Sequence, residues 1–120
     1  MASCVALPRK FRLSSKKDID RVFKNGRTVR GSFLFIRFLS GREEKSSRFA
    51  LIIPAKHVSL AVDRSKIKRI FSEEIKNPSL LLEHGYDVII VIHTKIERGR
   101  FKKVTEELRK LLNVIRQLNN

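Results

Sequence analysis

Arg64, Lys66, Lys68 and Arg69 stand within six residues of one another in the stretch A-V-D-R-S-K-I-K-R-I-F-S-E-E-I, Ala61 to Ile75. Cations at this density neutralise phosphates, so the chemistry they offer is polyanion binding rather than bond making. Ile67, Ile70, Phe71 and Ile75 recur through the same stretch at helical spacing. Together the two patterns predict a helix that is basic outside and docked on a core. On a helical wheel with Ile67 at the origin, the other three apolar residues fall within roughly 80° of it. Ser65 and Arg69 then point away, Arg64 and Lys68 lie one turn apart along one border, and Lys66 lies on the other. Asp63 is the expected N-cap and Asn77-Pro78 the expected stop. Like charges at Arg64 and Lys68 cost an isolated helix about 0.2–0.5 kcal/mol, a repulsion that a polyanion along that border relieves.

A run of cations on a helix is ordinarily just a solvated face. Here acidic partners at i+4 are missing through the basic half, since Glu73 and Glu74 arrive only near its end. The whole chain also leans the same way, with 27 Lys and Arg against 12 Asp and Glu and a net charge of +15. That exceeds what solubility asks of a small domain and makes nucleic acid the leading partner class. A length of 120 residues, 42% of them hydrophobic, fits a single RNA-binding domain over 1–120 with one modest core, which excludes a disordered basic tail. The single cysteine, Cys4, can form neither an internal disulfide nor a sulfur-bound zinc site, which fits a reducing, cytoplasmic setting. The longest apolar run, Val88 to Ile92, is far too short to span a bilayer, and Met1 to Leu7 is too short for a signal sequence, so no membrane partner is expected. Nothing in the composition asks for an obligatory protein partner.

Several elements must position the basic helix. Met1 to Leu13 reads as extended, with Pro8 opposing helix and Arg9, Lys10 and Arg12 bracketing Phe11. Ser15-Lys16-Lys17-Asp18 resembles a capping box, and Ile19, Val22 and Phe23 give one apolar face to a first helix from Lys16 to about Asn25, stopped by Gly26. From Ser32 to Leu39 the pattern is that of a strand, with Leu34, Ile36 and Phe38 on one side and Phe33, Phe35 and Arg37 on the other. One side faces the core, so Phe33 and Phe35 either lie under a second layer or form an exposed aromatic platform. Arg48 to Ile53 is the next strand, most simply an antiparallel hairpin partner of the one before it. Lys56 and His57 fall in the loop that leads to the basic helix. Asp87 to His93 is a continuous apolar run of the kind buried on both faces of a sheet, and so a central strand. Phe101 to Leu118 carries the clearest helical stripe. The order predicts an α+β fold, a two-layer α/β sandwich with a mixed sheet of about four strands and three helices.

Catalytic constellations are missing from the sequence. Two-metal hydrolysis needs clustered carboxylates, and acid–base cleavage needs a histidine pair. Asp18, Asp20, Asp63, Glu43 and Glu44 are scattered and have ordinary capping or charge-balancing roles, and His57, His84 and His93 are isolated in sequence. No phosphate-binding glycine loop, Cys/His ligand spacing or nucleophile elbow occurs. Nucleic-acid binding without chemistry of its own is the reading that remains.

Three separated patterns resemble the bacterial ribonuclease P protein subunit. They are Leu7-Pro8-Arg9-Lys10-Phe11-Arg12-Leu13 followed by Val22-Phe23; Arg48-Phe49-Ala50-Leu51, then Lys56, then Ala61 through Arg69; and Gly85-Tyr86-Asp87-Val88-Ile89-Ile90. That family's signature helix begins Arg-Asn-Arg, where this chain has Arg64-Ser65-Lys66, which keeps the charge but loses the planar bidentate fork. One of two usual loop lysines is kept as Lys56, with Ala55 at the other position, and Ala50 stands where a small residue is usual. The resemblance implies a ribosomal-protein-like fold with a left-handed β-α-β crossover. It implies a subunit that binds a catalytic RNA and helps remove the 5′ leader of precursor tRNA, with the RNA and its magnesium performing the hydrolysis. Carried onto this chain, Lys56, Arg64, Ser65, Lys66, Lys68 and Arg69 hold the RNA subunit. Phe11, Arg12, Phe23, Phe33, Phe35 and Arg37 line a cleft between the first helix and the sheet that takes the leader. The competing readings are a ribosome-associated RNA-binding protein or RNA chaperone, an autonomous nuclease, and a DNA-binding module.

Overall fold

The computed structural model describes residues 12–40, 47–76 and 85–118, without the side chains of residues 76, 98, 116 and 118. In chain order the elements are α1 (Lys16–Asn25), β1 (Arg27–Arg30), β2 (Leu34–Leu39), β3 (Arg48–Ile52), α2 (Ala61–Lys76), β4 (Asp87–Ile92), a 3-10 turn (Arg98–Arg100) and α3 (Phe101–Leu118). The α+β class, the three helices and the four-stranded mixed sheet are those the sequence indicates.

The sheet runs β1-β2-β4-β3. β4 is central because its apolar run can bury both faces, and it pairs antiparallel with β2 (Ile36 opposite Ile90) and parallel with β3 (Leu51 opposite Ile90). β3 is therefore not the hairpin partner of β2. The amphipathic α2 lies between β3 and β4 in the chain, and a helical crossover of that length is what a parallel pair requires. The hairpin partner of β2 is β1, with Val29 opposite Ile36. This four-residue strand, Arg-Thr-Val-Arg, has one apolar residue and so gives little alternation to read.

Alternation along β4 divides the core. Val88, Ile90 and Ile92 join Leu34, Ile36 and Phe38 of β2 under α2 and α3, which contribute Ile67, Phe71, Ile75, Val104, Leu108, Leu112 and Ile115. Each such side chain contributes on the order of 1.5–3 kcal/mol by leaving water. Ile89 faces the other way, packing with Val22 and Leu13, and Ile19, Leu39, Ala50, Ile52 and Val91 border that cluster. Hence α1 sits on the opposite face of the sheet from α2 and α3, covering only part of it.

The helix ends depart from expectation in detail. Ser15 occupies the N-cap of α1 but makes no side-chain capping bond, and Asp18 turns instead to Arg48 at 3.1 Å. α2 starts two residues before Asp63, because the Leu60 carbonyl already accepts from the N–H groups of Asp63 and Arg64 at 3.0 and 3.1 Å. Gly26 ends α1 as expected, with its N–H on the Val22 carbonyl. A Cβ there would lie 2.4 Å from the Val22 oxygen and 2.8 Å from the Phe38 oxygen, so close approach of the helix end to β2 demands glycine. The Asn77-Pro78 stop lies outside the described residues.

Candidate nucleic-acid interface

The cations of α2 divide according to the borders of the helix. Lys66 is exposed on the α3 side, with Nζ 5.7 Å from the centroid of the Phe101 ring. Lys68 turns the other way and is half-buried in a groove of about 290 Å³ between α2, β3 and the start of α1, with Arg12, Leu13, Ile19, Ala50, Ile52 and Ser72 among its walls. Ser72 is buried there, and among the described residues its Oγ has no hydrogen-bond partner. Arg64 is half-buried, and its Nη1 donates to the carbonyls of Val58 and Ser59 at 2.8 and 3.0 Å, so it closes the loop ahead of α2. Ser65 is half-buried, while Arg69 and Lys56 are exposed.

A second groove, about 300 Å³, lies on the far side of α1 and is lined by Phe23, Thr28, Arg30, Phe35 and Arg37. Three of the residues expected for the leader cleft thus meet there. Phe33, although on the same strand, packs against the α2/α3 core. Arg12 belongs to the first groove, where it forms a single parallel bridge with Phe49 and Leu13 N–H donates to the Phe49 carbonyl at 2.8 Å. Phe11 lies outside the described residues.

Arg37 is heavily engaged. Its Nη2 donates to the carbonyls of Phe23 and, at 3.1 Å, Gly26; its Nη1 donates to Thr28 Oγ1 at 2.7 Å, and the guanidinium stands 6.0 Å from the Phe23 ring centroid. A guanidinium at a helix C-terminus satisfies carbonyls that have no partner within the helix and complements the negative end of its dipole.

Placement of α1 over the sheet depends on an ion cluster. The Asp87 carboxylate is buried and receives Arg48 through Nε on Oδ1 and Nη2 on Oδ2, both at 2.9 Å, and Arg21 of α1 on Oδ2 at 3.0 Å. Hydrogen bonding to Asp87 is the largest of the causes that raise Arg48 above the ordinary arginine value, against the opposing effect of burial. On the other side of the sheet, Glu107 of α3 accepts the backbone N–H groups of Ser32 at 2.8 Å, Phe33 at 2.8 Å and Leu34 at 3.1 Å, fixing the turn from which β2 starts.

Sequence reasoning missed Arg30, Thr28, His93, Ser72 and Glu107. Arg30 and Thr28 become visible once β1 is read as a strand, and His93 continues the Ile89, Val91 alternation. Glu107 carries no local signal, because its partners lie more than seventy residues away. Among the described residues no group of three or more His, Cys, Asp or Glu side chains could hold a metal ion, and no helix is long and apolar enough to cross a membrane. What the arrangement can do is bind phosphates along α2 and stack bases beside α1.

A family model described as Ribonuclease P matches residues 7–116, almost the full length of the chain. The chain belongs to the ribonuclease P family. The ribonuclease P protein component of a Synechocystis species is 27% identical over 109 residues, covering 91% of this chain and 88% of the relative. That of Thermotoga maritima is 25% identical over 114 residues, with 92% and 93% covered. Among solved structures, the ribonuclease P protein of Staphylococcus aureus superposes with a TM-score of 0.67 at 22% identity, covering 92% of this chain and 95% of that one. The Thermotoga maritima ribonuclease P protein gives 0.67 at 20% identity, with 88% and 96% covered. The two superpositions show a shared fold.

Proposed function

We propose that the chain is the protein subunit of a ribonuclease P, holding the catalytic RNA on the exposed basic surface around α2 and the 5′ leader of precursor tRNA along the grooves beside α1. Family membership makes it a component of an endoribonuclease complex of tRNA 5′ processing. The observation that carries the finer reading is the division of basic groups between two surfaces. Lys66 and Arg69 are exposed on α2, with Lys56 in the loop before it, whereas Lys68 and Arg12 face a groove against α1. A domain of this form can bridge two RNAs, each contact adding to affinity by counterion release. A leader without fixed sequence suits stacking on aromatic faces beside backbone charge, which is what Phe23, Phe35 and Lys68 offer. Bond cleavage belongs in this reading to the RNA with magnesium. The carboxylates of Asp18, Asp87, Glu74 and Glu107 are occupied by guanidinium or backbone N–H groups and offer the metal no site on the protein.

The test is cleavage of a 5′-labelled precursor tRNA at low magnesium by a bacterial ribonuclease P RNA alone, by this protein alone and by the two together. Cleavage at the mature 5′ end, strongly enhanced only in the mixture, is the expected result. Tight RNA binding without enhancement, both for this chain and for its Lys66→Arg variant, would instead indicate a ribosome-associated protein or RNA chaperone.

A further inference from the structure

The sheet face that α1 leaves uncovered carries a row of side chains across three strands. Arg30 on β1 is directly opposite Phe35 on β2, and Phe35 is opposite Val91 on β4. His93 lies two residues beyond Val91 and so emerges on the same face. The Arg30 guanidinium carbon is 5.8 Å from the Phe35 ring centroid, and the His93 ring is 5.9 Å from it at an interplanar angle of 30°. The His93 ring is pinned: Nε2 is 3.0 Å from the Gly31 carbonyl oxygen, and the His93 backbone N–H donates to Phe33 O at 3.0 Å. Adjacent strands are about 4.8 Å apart, so the row is about 10 Å long.

We propose that Arg30, Phe35 and His93 form a stacking platform for unpaired RNA bases in which Arg30 supplies the phosphate contact, and that Arg37 is a positioning residue. The assignment rests on the leader reading above and refines it. Charge at this groove comes from two arginines, and they are not equivalent. Arg37 has its donors on the carbonyls of α1 and on Thr28, and it orders the helix end that carries Phe23. Arg30 is exposed and, among the described residues, forms no ion pair. A fixed aromatic surface beside a free guanidinium is the arrangement that binds single strands with little sequence preference, through stacking and backbone neutralisation. The ligand class is therefore single-stranded RNA, contacted by ring faces and phosphate rather than by base edges.

The experiment is titration of a fluorescent oligouridine with the full chain over a series of salt concentrations, for the wild type and for Arg30→Gln, Arg30→Lys, Arg37→Gln, His93→Ala and Phe35→Ala. Arg30→Gln is expected to reduce the slope of log affinity against log salt by about 0.7, the value for one phosphate on a single strand, and Arg30→Lys to restore it. Phe35→Ala is expected to weaken binding about 5- to 100-fold, with His93→Ala losing less. Arg37→Gln should leave the slope at its wild-type value while lowering thermal stability. An unchanged slope in Arg30→Gln, or a loss of slope in Arg37→Gln instead, overturns the proposal. The same variants assembled with a ribonuclease P RNA separate it from the reading it rests on. If the wild-type complex binds leader-bearing and leaderless tRNA equally while the oligouridine results hold, the leader reading fails and the platform stands. If leader preference is present and Arg30→Gln leaves it and its salt slope intact, the platform fails alone.

Discussion

Replacing Glu107 by glutamine tests how α3 holds the working face of the sheet from behind. In the native chain Oε1 accepts from Phe33 and Leu34 and Oε2 from Ser32, so one carboxylate satisfies three consecutive amides. Hydrogen bonds to a charged group contribute about 1.5–3 kcal/mol each, but the Ser32 amide is exposed and water can replace its partner. Glutamine keeps one carbonyl oxygen for Phe33 and Leu34, loses the charge, and presents an NH₂ group to the Ser32 N–H. The expected cost is about 1–2 kcal/mol. Glu107→Ala leaves two partly buried amides without a partner and should cost about 2–4 kcal/mol. In urea, with a slope near 1.5 kcal/mol/M, those costs move the unfolding midpoint down by about 1 M and about 2 M. Amide hydrogen exchange at Ser32, Phe33 and Leu34 should quicken selectively in both variants. Midpoints within about 0.3 M of the wild type for both substitutions would refute the assignment of Glu107 as the anchor of β2.

Asp87→Asn should destabilise by about 1–3 kcal/mol, below the usual cost of breaking a buried pair because Arg21 and Arg48 retain access to water. A double-mutant cycle with Arg48→Met, read by chemical denaturation, should return a coupling of at least about 1 kcal/mol. Gly26→Ala forces a Cβ against the carbonyls of Val22 and Phe38 and should cost about 2 kcal/mol in thermal unfolding, more than helix propensity alone predicts. Phe35→Ala in the assembled complex should weaken binding of leader-bearing precursor while leaving mature tRNA binding unchanged, as read by competitive titration. Equal weakening of both would remove Phe35 from the leader site.

Local signals in the sequence reach as far as each element and no further. α1 and α3 occupy the residues their apolar periodicity marks, because stripe, Gly26 stop and exposed face agree. β4 is central because only a strand covered on both sides tolerates Val-Ile-Ile-Val-Ile. Pairing is different. A preference for short connections favours a β2–β3 hairpin, yet the strand that completes β2 comes from beyond α2. The basic helix is legible as a helix and as a charged surface, but the wheel cannot say that Arg64 is spent on the Val58 and Ser59 carbonyls or that Lys68 meets a groove wall. Arg37 shows the same limit. Its alternation with Phe35 places it on the correct face, whereas its engagement by the end of α1 follows from how closely that helix end approaches β2.

The place of β4 between β2 and β3 bears on how the chain acquires its structure during synthesis. When the ribosome has released only α1 through α2, the β1–β2 hairpin and β3 exist as two halves with no common edge, because the strand that joins them is residues 87–92 and α3 follows it. Ile36, Leu51 and Phe71 then lack their partners, and loop closure over some fifty residues must precede any gain from pairing β2 with β4. Folding is thus confined to the last stage of translation or to the time after release. A nascent chain of high positive charge spends that interval beside ribosomal RNA, and a stop codon anywhere before β4 leaves two open strand edges rather than a smaller domain.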